Sequence, residues 1–392
     1  MSEIRVDSIG NESNTGGPVL SGITTFSGQQ YFVPPKGTTA ERPQDCPPGS
    51  IRYNTDTAHL EYWQGSVWLE FEASSEHIGI STAAAGSSAA GTGTRAVFCR
   101  GDSNGPTVDR SLIDYITIST LGNAIFFGDD ITTARQGSAL SSSTRALICS
   151  RGSANSAISF ITFASTGDAT NFTGTLTAAT AGSPAGISNG TRGIFAGGLA
   201  PGATAKMDYV TISSNQDAKD FGDLSVTRDT PGGCSSSVRG VIAAGFNPSG
   251  KHNSIDYITF TTTGNAQDFG DLSLGKDNGG MGSNSTRGIY GGGRNPSNAA
   301  ITPIEFITIA STGNATDFGD LLQVRSGTRG AASSTRMVFG GGYNPSSSPV
   351  NDFTNGAIEY VEIATTGNGQ GFGDLTVNRE QAAGTSNGHG GL

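Results

Sequence analysis

Aspartates recur inside an FGD tripeptide at Asp129, Asp223, Asp271, Asp320 and Asp374, and arginines recur after Thr or Val at Arg192, Arg239, Arg287 and Arg336. An acid and a base brought together are the material of general acid–base catalysis. Both types return in nearly every repeat of this chain, whereas a single active site needs residues that break a repeat. Their expected role is structural: satisfying turn amides and strand ends, or pairing between repeats. The acids that stand outside the repeat are Asp102, Asp109 and Asp352. Glycan hydrolysis needs two carboxyls at a defined separation, and nothing in the sequence pairs these three. The histidines, His59, His77, His252 and His389, lie far apart with no metal-ligand spacing. The four cysteines, Cys46, Cys99, Cys149 and Cys234, read as buried free thiols. No phosphate-binding loop, HExxH or D-x-D-x-D-G calcium motif occurs in the sequence. The expectation is a protein that is not an enzyme, with no catalytic residues, no metal and no cofactor. Arg100-Gly101-Asp102 spells a cell-adhesion tripeptide, expected here as an accident of a Gly-rich chain.

The elements that would carry any site are short strands. Charged residues make up 14% of the 392, too few for charge-driven disorder, and 59 glycines raise the apolar-plus-Gly share to that of a globular protein. A net charge of −10 argues against a nucleic-acid partner, and no apolar run is long enough for membrane insertion. The opening MSEIRVDSIG carries no signal-peptide pattern.

A repeat fills the last three hundred residues. One marker is the arginine at 95, 145, 192, 239, 287 and 336; a second, in phase, is Phe127, Phe172, Phe221, Phe269, Phe318 and Phe372. In the unit from Asp277 to Arg325, two short strands are expected, then IEFITIA, an STGNA turn and a returning TDFGDL strand. Four strands in about 48 residues cannot bury their faces alone, and the period suits a propeller blade. The C-terminal REQAAGTSNGHGGL reads as a further copy of the connecting strand, with His389 in the arginine's place. It is expected to complete the first blade, beside Arg95, and so remove an open edge.

The glycine doublets Gly197–Gly198, Gly292–Gly293 and Gly341–Gly342, and the run Phe221, Leu224, Arg228, resemble kelch repeats. That resemblance implies an all-β fold, a six-bladed kelch-like propeller over 94–392. Phe stands where kelch blades have Trp, and Thr180 replaces the arginine in NFTGTLTAAT. Function does not follow from such a fold. Ahead of it, residues 37–72 read as a small β-meander of three strands, SIRY, HLEYW and VWLEF; 1–36 reads as an extended anchoring segment and 73–93 as a linker.

The motifs GTTAERP, PGSIRYNTDT, LEYW and WLEF, in that order, resemble modules near the N-termini of tailed-bacteriophage fibre and other virion proteins, as do the FGDL units and the terminal SNGHGGL. The resemblance implies a phage structural protein, a tail fibre or spike subunit made in the host cytoplasm and located in the virion. It implies an N-terminal attachment to other virion proteins, a distal part that meets a host cell-surface glycan or protein, and a homo-oligomer, a trimer by preference. The other readings are an architectural head-decoration or baseplate protein, and a glycan-cleaving spike.

Residues that differ between repeats cluster between the Gly-rich strand and the IDY-type strand. These loops are GDSNGPTVDRSL after Arg100, NPSGKHNS from Asn247, RNPSNAAITP from Arg294 and the stretch from Tyr343 to Ala357. Loops on a rigid scaffold are where binding is usually carried. Lys251, His252, Arg294, Asn295, Tyr343, Asn351, Asp352 and Phe353, read as exposed stacking faces and polar groups, are the expected receptor-binding residues.

Overall fold

A computed structural model describes residues 34–43, 45–57, 59–70, 94–103, 108–149, 156–178, 182–199, 202–344 and 356–392. The chain divides into two compact units, one within Met1–Gly79 and one within Ile80–Leu392. Among the described residues there are strands and one short 3-10 turn at Thr39–Glu41, and no α-helix. The 73–93 linker and nearly all of the 1–36 anchoring segment lie outside the described residues.

The first unit holds the three expected strands, Ile51–Asn54, His59–Trp63 and Trp68–Glu70, as an antiparallel meander. A fourth, Lys36–Gly37, pairs in parallel with Ile51–Asn54, so the sheet begins one residue before the expected boundary. Trp63 and Trp68 pack at 5.5 Å between ring centroids, and Trp68 Nε1 donates to Pro43 O at 3.0 Å. Glu61 is fully buried and is held by Arg42 and Asn54, which compensates its charge.

The described residues of the second unit form a succession of six main sheets, each with four antiparallel strands as its frame, and a two-stranded ladder of Phe246–Asn247 with Gly250–Lys251. In the third sheet these are Ala185–Ser188, Arg192–Ala196, Lys206–Thr211 and Lys219–Asp223. The second uses Ser138–Ser141, Arg145–Cys149, Ala157–Thr162 and Thr170–Thr175; the fourth Gly232–Ser235, Arg239–Ala243, Ser254–Thr259 and Gln267–Asp271. The fifth uses Gly280–Ser283, Arg287–Gly291, Ile301–Thr308 and Thr316–Arg325; the sixth Arg329–Ala332, Arg336–Gly340, Ala357–Glu362 and Gln370–Asp374. The first sheet takes its first strand from the far end of the chain: Ala383–Ser386 pairs with Arg95–Cys99, followed by Val108–Thr117 and Ile125–Ala134. A two-residue strand, Asp102–Ser103, also pairs with Val108–Thr117.

Such sheets are nearly apolar on both faces in their first two strands, so each must be covered on both sides. Six apolar clusters do this, each made by adjacent sheets. The repeated phenylalanines are the anchors, each 4% exposed or less. In five sheets the ring meets an aromatic of the third strand edge-on, as Tyr209 meets Phe221 at 6.1 Å.

The repeated arginines then tie each sheet to the next. Each guanidinium lies over the third-strand aromatic of its own sheet, 4.5 Å above Tyr209 for Arg192. Each also donates to a carbonyl of the following sheet: Arg95 to Phe163 O, Arg145 to Ile212 O, Arg192 to Phe260 O, Arg239 to Ile309 O, Arg287 to Ile363 O. Arg336 of the sixth sheet donates to Ile118 O of the first. A second series follows the same order. The backbone amide of Asp223 donates to Asn265 Oδ1, and that of Asp374 in the sixth sheet to Asn123 Oδ1 in the first. The TGN turns therefore brace the neighbouring sheet as well as closing a hairpin. In the FGD tripeptide it is the amide, rather than the carboxylate, that makes this link.

Candidate recognition face and serine ladder

Five sheets leave their second strand in the same way. Two consecutive residues take positive φ: Arg100–Gly101, Gly197–Gly198, Ala244–Gly245, Gly292–Gly293 and Gly341–Gly342, as at Gly292 (66°) and Gly293 (101°). The second amide of each pair donates to a carbonyl at or just beyond the end of its own sheet's fourth strand, as Gly293 N does to Arg325 O at 2.8 Å and Gly198 N to Arg228 O at 2.9 Å. A Cβ at Gly293 would press on Asp277 O, which leaves glycine as the residue that fits. The next residue is Asp102, Leu199, Phe246, Arg294 or Tyr343. Four of these bridge to the residue three before the start of a first strand: Asp102 to Glu380, Phe246 to Asp229, Arg294 to Asp277 and Tyr343 to Ser326. One backbone position thus carries different chemistry around one end of the sheets. Phe246 is 43% exposed there. Sequence reasoning missed Phe246, Leu199 and Asp102 as a set, although their place directly after the glycine was a visible signal.

The expected receptor-binding residues divide. Lys251, Arg294 and Asn295 are brought together around Asp277: Arg294 grips that carboxylate at 2.6 and 3.2 Å, and Lys251 Nζ lies 3.6 Å from it. Lys251 Nζ also donates to Asn295 O at 2.8 Å and Asn298 Oδ1 at 2.5 Å. The expected exposure of Lys251 is not found: its side chain is 4% exposed, and burial holds its ammonium below the usual lysine range. The physical reason is Asp277, a buried carboxylate that requires the two cations. Asn295 Oδ1 is occupied by the amides of Ser297 and Ala299, which shape its own loop. His252 is half-buried with Nε2 unpartnered, and burial and Arg228 lower its basicity. Tyr343 is half-buried; Asn351, Asp352 and Phe353 lie outside the described residues.

Asp102 is bound by Arg135 at 2.7 Å and stands next to Glu380, whose carboxyl burial and the Asp102 charge push up to about 7. The side chain of Asp109 and all of Asp352 lie outside the description. Arg100 of the adhesion-like tripeptide is 1% exposed, with its guanidinium on Asp130 and Cys149 O. Cys99, Cys149 and Cys234 are buried thiols, and Cys46 is half-buried. Burial pushes the Cys149 thiol up to about 11, which keeps it protonated. Among the described residues no group of three His, Cys, Asp or Glu is arranged to hold a metal, and no helix is long and apolar enough to cross a membrane.

At the other ends of the first strands the hydroxyls form a ladder. Ser188 Oγ donates to Ser141 O at 2.5 Å, Ser235 Oγ to Ser188 O at 2.8 Å, and Ser283 Oγ to Ser235 O at 2.7 Å. Ser386 Oγ donates to Ala332 O, and Ser141 Oγ to Ser386 O at 2.6 Å. Ala332 has no hydroxyl for Ser283 O; the Gly390 amide supplies that bond at 2.8 Å. His389 does not occupy an arginine position: no strand follows Ser386, and the chain turns onto the serine ladder instead. Its Nδ1 accepts from Gly391 N at 3.1 Å, which leaves Nε2 to donate to Ser141 O at 3.2 Å. Burial lowers its pKa to about 4. A cavity of about 40 Å³ beside it is lined by first-strand residues of all six sheets.

Comparison with protein-family models and with curated proteins finds no match for the chain.

Proposed function

We propose that the six sheets are the blades of a six-bladed kelch-like propeller, and that this is the host-recognition part of a phage tail fibre or spike. The propeller reading is supported by the two series of links that return from the sixth sheet to the first, and by Ala383–Ser386 pairing with Arg95–Cys99. The functional reading rests on one observation. Around one end of the sheets a recurring backbone turn carries Asp102, Leu199, Phe246, Arg294 and Tyr343 at equivalent places, while the seams between sheets repeat. Repetition at the seams meets a structural demand; divergence at one face is what recognition of an irregular partner requires.

The mechanism is non-catalytic. Phe246 and Tyr343 supply faces for stacking on a host glycan or protein, and many copies on one particle turn weak contacts into avidity. Residues 1–36 attach to other virion proteins, 73–93 link, and the assembly is a homo-oligomer, a trimer by preference. The test is adsorption: purified full-length protein is incubated with host cells before phage is added. Slower attachment, restored to normal by F246A with Y343A, supports recognition. Unchanged attachment at saturating protein favours an architectural virion role. Release of reducing sugar from host polysaccharide, abolished by E380Q, would replace both with the glycan-cleaving reading.

A further inference from the structure

Six arginines open the second strands, and each stands in register opposite one residue of the third strand. In five sheets that residue is threonine: Thr117, Thr162, Thr211, Thr259 and Thr308, opposite Arg95, Arg145, Arg192, Arg239 and Arg287. In the sixth sheet it is Glu362, opposite Arg336. There the guanidinium makes two contacts at once. It lies 4.7 Å over the Tyr360 ring, and its Nε donates to Glu362 Oε1 at 2.7 Å.

The fourth sheet keeps this arrangement without the acid. Arg239 lies 4.5 Å over Tyr257, and its Nη1 donates to the carbonyls of Ile309 and Ala310 at 3.1 and 3.0 Å. Arg336 is anchored in the same way, from Nη1 to the carbonyls of Ile118 and Ser119 at 3.3 and 3.2 Å. Among the described residues, Nε and Nη2 of Arg239 have no hydrogen-bond partner, and no carboxylate lies within 4.0 Å of its guanidinium. The fork of donors is thus fixed at one corner, and the edge that meets Glu362 in the sixth sheet meets no acid of the chain in the fourth.

Arg239 lines a cavity of about 270 Å³ whose walls all fall in the described stretch 202–344. Tyr257, Thr259, Thr262 and Asn265 form it with Phe221 of the third sheet. A cavity of about 350 Å³ is built residue for residue in the same way in the first sheet, from Arg95, Tyr115, Thr117, Thr120 and Asn123 with Phe372 of the sixth. The two differ where Thr263 and Gln267 give way to Leu121 and Ile125. Both volumes are near the lower end of small-molecule pockets, about 300–1,000 Å³. Asn265 Oδ1 and Asn123 Oδ1 accept backbone amides of the preceding sheet, at 3.0 and 3.1 Å, which leaves each amide nitrogen for another acceptor. Each cavity therefore combines a guanidinium with hydroxyls and an amide donor.

We propose that these two cavities bind a sugar that carries a carboxylate, a uronic acid unit of a polysaccharide. Its carboxylate takes the guanidinium edge that Glu362 takes in the sixth sheet, with the added strength of hydrogen bonds between charged groups. Thr259, Thr262 and Asn265 supply partners for the hydroxyls of the sugar. The second strand runs from Arg239 towards the turn that carries Phe246, so the cavities lie at the opposite end of the sheets from the recognition face. The inference does not rest on that face. An acidic peptide side chain offers the same charge without the hydroxyls, and the experiment separates the two.

Full-length protein would be titrated calorimetrically, at constant ionic strength, with methyl glucuronide and separately with methyl glucoside and N-acetylglutamate amide. Two equivalents of methyl glucuronide are expected to bind saturably, with a Kd on the order of millimolar. The other two compounds should bind at least tenfold more weakly. T117E with T259E places an acid opposite each arginine, as Glu362 stands opposite Arg336, and should abolish binding without lowering the melting temperature. T259E alone should halve the number of equivalents. No saturable binding of methyl glucuronide overturns the proposal, and so do two equivalents that survive the double variant. Equal binding of N-acetylglutamate amide also overturns it, in favour of an acidic peptide.

Discussion

The seams and the loop-bearing face are cut from the same repeats, yet they treat side chains in opposite ways. At a seam, Arg192, Arg239 and Arg287 each lie over a ring of their own sheet and reach a carbonyl of the next. Change of residue type there would leave a buried acceptor or a buried charge alone. On the loop-bearing face the backbone is what repeats, through paired positive-φ residues, and the side chain that follows is free to differ. Stability in this molecule is held between sheets, and variety is confined to where one sheet's turn meets water.

The largest break of that contrast should come from R228A. It strands Asp256, 1% exposed, without its cation, and removal of one partner of a buried pair costs about 3–5 kcal/mol. Urea denaturation should show the loss in the midpoint. Next comes acid. His389 titrates lower in the folded protein than its unfolded value of 6.5, so its contribution is full above pH 6.5 and is lost as pH falls towards 4. Glu380, raised from 4.5 to about 7, contributes in the opposite sense, losing stability as pH rises across that window. Melting temperatures measured in E380Q should therefore fall more steeply on acidification than in the unmodified protein. S188A should cost about 1 kcal/mol, one hydroxyl bond of the ladder, because His389 still donates to Ser141 O. F246A should shift stability by no more than about 0.5 kcal/mol while removing attachment blocking. A seam-sized loss at Phe246 would erase the contrast.

Much of the seam architecture was legible, because its arginines and phenylalanines are periodic and period is visible in one dimension. The pairing of the C-terminal copy with Arg95–Cys99 was legible for the same reason. What could not be read is what depends on partners distant in sequence. Lys251 sits in a loop, and nothing local reveals Asp277 beneath it. His389 aligns with an arginine by spacing alone; its actual place depends on Ala332 leaving one carbonyl of the ladder open to Gly390.

The pairing of Ala383–Ser386 with Arg95–Cys99 also sets a timetable. Arg95 and Asn387, which hydrogen-bond at 2.7 Å, are 292 residues apart. At ribosomal speeds of roughly 5–20 residues per second, the first sheet waits on the order of 15 to 60 seconds for its first strand. Throughout that interval Arg95–Cys99 presents a bare edge in the register that any Ala383–Ser386 segment fits. On a crowded polysome, the segment that arrives first can belong to the chain ahead.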